Sequence, residues 1–375
     1  MTDIHEFDDI RPFLPEELPA AYDRLLNDDG FKAFLAFSYK DIPFEKAAAL
    51  IRSCKTNLEF QKACIYPVLT KLLSKNSTGL TADFSNISHD GYTFISNHRD
   101  IVLDSALLDY VIVDKGLDTV EIAIGDNLLV FPWIKDLVRI NRSFIVQRAL
   151  TMRQMLLASA KMSKYMHYVI SEKHGNIWIA QREGRAKDSD DRTQESVLKM
   201  MSLGGGPDAI ASVKSLNIVP LAISYEYDPC DYLKAEEFQN KRDIPGFKKS
   251  QQDDLDNMKT GILGYKGHIH YHAAPCINDW LDTLDTNIAK ADLFPLIAEH
   301  IDQEIHKHYK LYPCNYVAAG MDTSAEDKAK FDAYIEHQMA QIKMENPDYD
   351  FLREKMREMY ANPAINQMKA KGQSL

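Results

Sequence analysis

Between residues 92 and 272 the chain alternates short β-branched or aromatic runs with helical stretches, and this alternation constrains the fold more than any other feature. The runs fall at residues 92–96, 119–124, 143–147, 176–180, 217–225 and 269–272. Strands separated by helices must pair across them, which builds a sheet covered on its faces. The expected class is α/β, a mixed central sheet flanked by helices. The flanks differ in texture. Residues 1–86 read as a helical region, with Leu50, Ile51, Leu58, Cys64, Val68 and Leu72 recurring at three- and four-residue steps and prolines at 12, 15, 19 and 43. After Pro313 helical patterning returns, with a cap at Ser324, a helix over 328–343, a break at Asn346-Pro347 and a helix over 349–360. The expected organisation is a helical N-terminal region (1–86), an α/β catalytic domain (87–320) and a C-terminal helical extension (321–375).

Charge narrows the function. The 375 residues carry 44 basic and 55 acidic side chains, a net charge of −11. A nucleic-acid binder needs a basic face, so no nucleic-acid partner is expected and any anionic ligand must be held by a local basic pocket. The longest run without Asp, Glu, Lys or Arg is residues 267–278, twelve positions that include three histidines. A spanning helix needs about twenty mostly apolar residues. The acidic, proline-broken start resembles no signal or transit peptide. Five scattered cysteines without ligand spacing fit a reducing cytoplasm.

Chemistry-bearing residues cluster at strand ends. The run from Phe94 to Ser96 ends in Asn97-His98-Arg99-Asp100, and apolar residues at helical spacing follow from Ile101. His98 is thereby delivered to the carboxyl end of a strand, where open α/β sheets bind ligands. A nearby carboxylate would fix its tautomer and make it a general base. Glu183-Gly184-Arg185 follows the apolar run 177–180, a turn that brings backbone and a guanidinium fork close to a phosphate. Arg139, Arg142 and Arg148 surround the run 143–147. Pro220 interrupts the apolar run 217–225, and because proline cannot donate to a ladder it implies an edge, a bulge or a strand start.

The order and spacing of these blocks resemble the four motifs of the glycerolipid acyltransferase superfamily, nearest in pattern to its glycerol-3-phosphate acyltransferase branch. The blocks are Asn97-His98 with a following Asp, Gly125 through Arg139 to Phe144–Arg148, Glu183-Gly184-Arg185, and Val219-Pro220 through Ser224-Tyr225-Glu226. The resemblance spans about residues 81–278. It implies an O-acyltransferase that moves a fatty acyl group from acyl-CoA or acyl carrier protein to glycerol 3-phosphate in phospholipid synthesis. His98 would deprotonate the acceptor hydroxyl and Asp104 would orient His98. Arg139 and Arg148 would hold the acceptor phosphate with help from Arg185, Glu183 and Gly184 would shape the acceptor site, and Pro220 would set its strand against the acyl donor. No cofactor or metal is implied, and peripheral contact with the cytoplasmic membrane face is expected for such substrates. Lysophosphatidate or another lysolipid is the alternative acceptor, and a catalytically inactive lipid-binding relative is the alternative of another class.

One departure from the pattern bears on the base. The family separates His and Asp by four residues, whereas five lie between His98 and Asp104. Either the turn absorbs one extra residue or Asp100 supplies the carboxylate, although Asp100 also suits the N-cap of the next helix. An extra loop residue is absorbed more easily than a change of helix face, which favours Asp104. Three further features have ordinary readings. His268, His270 and His272 share one face of a strand, Gly204-Gly205-Gly206 lacks the Lys-Ser/Thr ending of a nucleotide loop, and Lys241-Arg242 with Lys248-Lys249 fits a solvated loop.

Overall fold

A computed structural model describes residues 2–39, 42–148, 151–286 and 288–373. The six apolar runs form strands, and a seventh strand joins them. The strands are β1 (Gly79–Asp83), β2 (Thr93–Ser96), β3 (Val120–Gly125), β4 (Ser143–Val146), β5 (Asn176–Ala180), β6 (Ile218–Tyr225) and β7 (His268–Ala273), in the sheet order β1-β7-β6-β2-β5-β3-β4. Strands β2 to β6 are mutually parallel, while β7 runs antiparallel to β6 and carries β1 alongside it. The carboxyl ends of β2, β3, β4, β5 and β6 therefore share one end of the sheet. Residues 79–83 lie in the region read as helical. They form β1 because the edge of β7 offers a parallel partner, a long-range pairing that local periodicity does not encode.

Helices cover both faces. Before β2 come α1 (Leu18–Asn27), α2 (Asp29–Ser38), α3 (Phe44–Ser53), α4 (Asn57–Phe60) and α5 (Tyr66–Asn76). The crossovers add α6 (Leu103–Asp114), α7 (Pro132–Ile140), α8 (Met152–Ser171), α9 (Glu195–Met201) and α10 (Ala209–Lys214). Between β6 and β7 lie α11 (Asp231–Asp243) and α12 (Gln251–Leu263). After β7 the chain forms α13 (Asn278–Leu281), α14 (Lys290–Lys307), α15 (Pro313–Ala318), α16 (Ala325–Met339) and α17 (Tyr349–Ala370). Residues of α8, α9 and α14 pack on one sheet face through Met166, Leu198 and Ile297, and residues of α5 and α6 pack on the other through Leu69 and Leu108. Both central strands β2 and β6 are buried along their whole length, which is why they read as continuous apolar runs rather than alternating ones.

Pro220 meets the second of its three expected settings, a bulge. It lies neither at an edge nor at a strand start but inside the central β6, opposite Ile95 of β2. Its carbonyl accepts from Ala274 N at 2.9 Å, so its nitrogen faces the same side, just beyond the last residue of β7. The next bond on that side runs from Ile277 N to the Ile218 carbonyl at 2.9 Å, so three steps of one chain oppose two of the other. A local widening of the neighbouring segment thus removes the need for the donor that proline lacks.

The C-terminal helices are tied to the core by buried polar groups. Asp231, at the start of α11, accepts from the hydroxyls of Tyr334 (2.8 Å) and Tyr360 (2.7 Å) and from Gln338 Nε2 (2.5 Å). Burial, with Asp228 nearby, pushes the Asp231 carboxyl up to about 7. The Tyr360 hydroxyl also accepts from Asp228 N at 3.0 Å. Tyr360→Phe removes both bonds, and urea unfolding is expected to show a loss of about 1–3 kcal/mol.

Candidate active site

The site begins where β2 runs out at Ser96. Asn97 Nδ2 donates to the Ile223 carbonyl at 2.8 Å while Asn97 Oδ1 accepts from Ile223 N at 2.8 Å. A side chain thus supplies one more rung between β2 and β6 after the strand has ended, and His98 departs from a fixed backbone. Behind this turn a cavity of about 30 Å³, lined by Asn97, Arg99, Tyr225, Tyr309 and Tyr360 among others, has room for water but not for a substrate.

Asp104, in the first turn of α6, organises the turn that carries His98. Its Oδ2 accepts from His98 Nδ1 at 2.8 Å, from Arg99 N at 2.6 Å and from Asp100 N at 3.1 Å. The Asp104 side chain is 1% exposed and that of His98 is 14% exposed. An ionised carboxylate only accepts, so the shared proton sits on Nδ1 and Nε2 is left as a bare acceptor. Among the described residues Nε2 has no hydrogen-bond partner. The Trp178 ring meets the imidazole edge-on, with centroids 5.7 Å apart, and is itself fixed by a 3.0 Å bond from Nε1 to Ser96 Oγ.

Asp100 has the other job. Its Oδ1 accepts from Val102 N at 2.9 Å and Leu103 N at 2.8 Å, satisfying donors at the start of α6. Burial and the neighbouring Asp104 raise its pKa. The additional residue between His98 and Asp104 is absorbed in this capped turn, which delivers Asp104 rather than Asp100 to the imidazole.

The remaining expected residues divide into two groups. Arg148, just past β4, reaches across Gly125 to Glu183 beyond β5, with Nη1 3.0 Å from Oε1. Gly184 has φ +67°, a conformation that glycine adopts without strain, and it turns the chain so that Arg185 points inward. Arg185 is buried, donating from Nη2 to Asn257 Oδ1 at 3.0 Å and lying 3.5 Å from the Arg99 carbonyl, directly under the His98 turn. Arg148, Glu183, Gly184 and Arg185 thus share the His98 end of the sheet. Arg139 does not. It sits in the last turn of α7, at the opposite end, where Nε donates to the Arg11 carbonyl and Nη2 to the Asp8 carbonyl, each at 2.8 Å, with Phe13 beneath the guanidinium. Its donors fasten the N-terminal segment, so the structure does not bring it together with the other residues expected to hold an acceptor phosphate.

Lys187 is a further cation close to Arg185. It lies two residues past Arg185, with Nζ 3.3 Å from Glu237, and Lys249 contacts the same carboxylate at 3.3 Å. Burial, reinforced by Arg185 and partly offset by Glu237, lowers the Lys187 ammonium to about 7. Lys234 pairs with Asp228 and donates to the Arg99 carbonyl at 3.3 Å. Four cations, Arg185, Lys187, Lys234 and Lys249, are thus found near one another, with Asp228, Glu237 and Asp254 as their carboxylate partners. The sequence signal for Lys187 was its spacing after Arg185, and for Lys249 a loop position that reads equally as solvated. The segment carrying Lys187 is braced from α17, where Asn362 donates to the Asp188 carbonyl and Asn366 to Asp190, both at 2.8 Å. The three histidines of β7 make contacts of their own: His270 bonds Thr81, His268 bonds Tyr312 and His272 stacks on His308.

No model of a known protein family matches the chain, and no curated protein matches it either. The site must be read from its own chemistry. Asn97→Ala would leave the Ile223 amide and carbonyl without partners in a buried strand, and hydrogen exchange is expected to show the Ile223 amide losing protection equivalent to about 1–3 kcal/mol.

Proposed function

We propose that the protein is an O-acyltransferase that moves a fatty acyl group from a thioester, acyl-CoA or acyl carrier protein, to the hydroxyl of glycerol 3-phosphate. The observation that carries this reading is His98 fixed by buried Asp104 with Nε2 unpartnered, beside a basic cluster in an otherwise acidic chain. Nε2 takes the proton of the acceptor hydroxyl as its oxygen attacks the thioester carbonyl. The tetrahedral intermediate collapses, the C–S bond breaks, and the imidazolium returns the proton to the departing thiolate. A thiolate is a good leaving group, so a single base suffices. Asp104 stabilises the imidazolium formed midway.

In this reading Lys187, with Arg148 at the rim, holds the acceptor phosphate, and Arg185 assists with its buried charge from beneath the turn. Lys187 offers a compact charge whose proton is drawn back by the arriving anion, and Arg185 adds a fixed positive charge beside it. Glycerol 3-phosphate is favoured over a lysolipid because these groups provide for phosphate, while the side chains around them supply charge rather than an apolar channel for a second acyl chain. The motif resemblance to the glycerol-3-phosphate branch supports the same choice.

Purified protein given palmitoyl-CoA and glycerol 3-phosphate should form lysophosphatidate, and His98→Ala should lower turnover about 100-fold or more. Transfer to lysophosphatidate alone would change the acceptor, and no transfer to any acceptor would end the enzyme reading. Asp104→Asn should approach the His98→Ala loss. Asp100→Asn, which preserves the cap acceptor, should stay within about tenfold of wild type; the reverse ranking would move the carboxylate role to Asp100. Lys187 carries its charge below its pKa of about 7 and loses it above. Accordingly kcat/KM for glycerol 3-phosphate should fall as pH rises from about 7 to about 9, and Lys187→Met should show a lower value that is flat over that range.

A further inference from the structure

The carboxyl ends of β3 and β4, the same sheet end that carries His98, are followed by apolar side chains that the core does not use. Helix α8 begins past β4 at Met152, yet its first fully buried residue is Met162. Residues 151–157 are exposed around the whole helix, so about 10 Å of it stands clear of the core at about 1.5 Å per residue. Met152 is 89% exposed and Leu156 and Leu157 are each 63% exposed, with Met155 and, after β3, Phe131 also open to solvent. Leucine and methionine in that density gain nothing from water, and the Thr151 capping box holds the turns helical in spite of it.

The charge pattern says what covers them. Residues 147–171 contain Arg148, Arg153, Lys161 and Lys164 and no Asp or Glu, in a chain with 55 acidic residues. Lys161 and Lys164 are engaged by Asp9 and Glu6 farther along the helix. Arg153 lies among the exposed apolar residues, and the Arg148 pair with Glu183 is solvent-exposed and weak. An amphipathic helix start with cations and no acids complements a negatively charged lipid surface. A second copy of the chain would oppose two acid-free cationic surfaces.

We propose that the first two turns of α8, with Phe131, dock the protein on an anionic lipid bilayer and turn the His98 end of the sheet toward it. This goes beyond acyl transfer and is tested without it, so failure of either idea leaves the other standing. Sedimentation with vesicles of phosphatidylcholine alone, or mixed with phosphatidylglycerol, measures the binding. The wild type should sediment with the mixed vesicles and much less with the neutral ones. Leu156→Asp/Leu157→Asp should weaken binding about 100-fold and Arg153→Glu about tenfold, while Ile244→Asp, at an exposed apolar position outside the patch, should bind as wild type. These positions are on the surface, so circular dichroism should be unchanged. A wild type that stays in the supernatant, or a leucine variant that binds normally, would overturn the proposal. So would a dimer in sedimentation velocity that the leucine variant disperses without any vesicle binding, which would assign the patch to a second copy.

Discussion

One buried oxygen, Oδ2 of Asp104, gathers the imidazole of His98 and two successive backbone amides. The rest of the site depends on it. The amides fix the turn between β2 and α6, and the ring bond fixes the tautomer, so a single carboxylate both shapes the loop and orients the ring that is the base in the proposed reaction. Charge-assisted bonds of this kind are short and strong, and removing the acceptor would strand three donors in a dry environment. The cost of burying the charge is met by those donors rather than by a cation. Asn97 and Trp178 complete the arrangement by closing the strand end below and the ring edge beside His98.

Electrostatics of the same region shows how an acidic chain can offer an anion site. The net charge of −11 belongs to the whole chain, while Arg185, Lys187, Lys234 and Lys249 lie near one another. Lys234 is spent on Asp228 and the Arg99 carbonyl, and Arg185 on Asn257 and that same carbonyl, which leaves Lys187 as the group to face a phosphate in the proposed reaction. The depressed Lys187 is the physical sign of that crowding, since like charges and burial both favour its neutral form. Helix α17 bears on this chemistry from a distance by bonding the loop that carries Lys187.

Much of this was legible in the sequence because it rests on local pattern. Continuous apolar runs marked β2, β5 and β6, and the turn residues after them marked the strand ends where His98 and Arg185 emerge. The assignment of Asp104 over Asp100 followed from helix geometry, and the structure places both residues accordingly. What was not legible depends on contacts between distant segments. The strand β1 exists only against β7. Pro220 is tolerated in a central strand only because the chain after β7 widens opposite it. Arg139 and Arg185 are both arginines after an apolar run, and nothing local states that one reaches the carbonyls of Asp8 and Arg11 while the other folds under the His98 turn.

The central claim is that Asp104 holds the proton of His98 on Nδ1 and leaves Nε2 free to act as the base. Nitrogen NMR of the His98 ring in the neutral state measures this directly. The account predicts a protonated Nδ1 coupled to the Asp104 carboxylate and an unprotonated Nε2, with the preference lost in Asp104→Asn. A ring protonated on Nε2 in the wild type would contradict it.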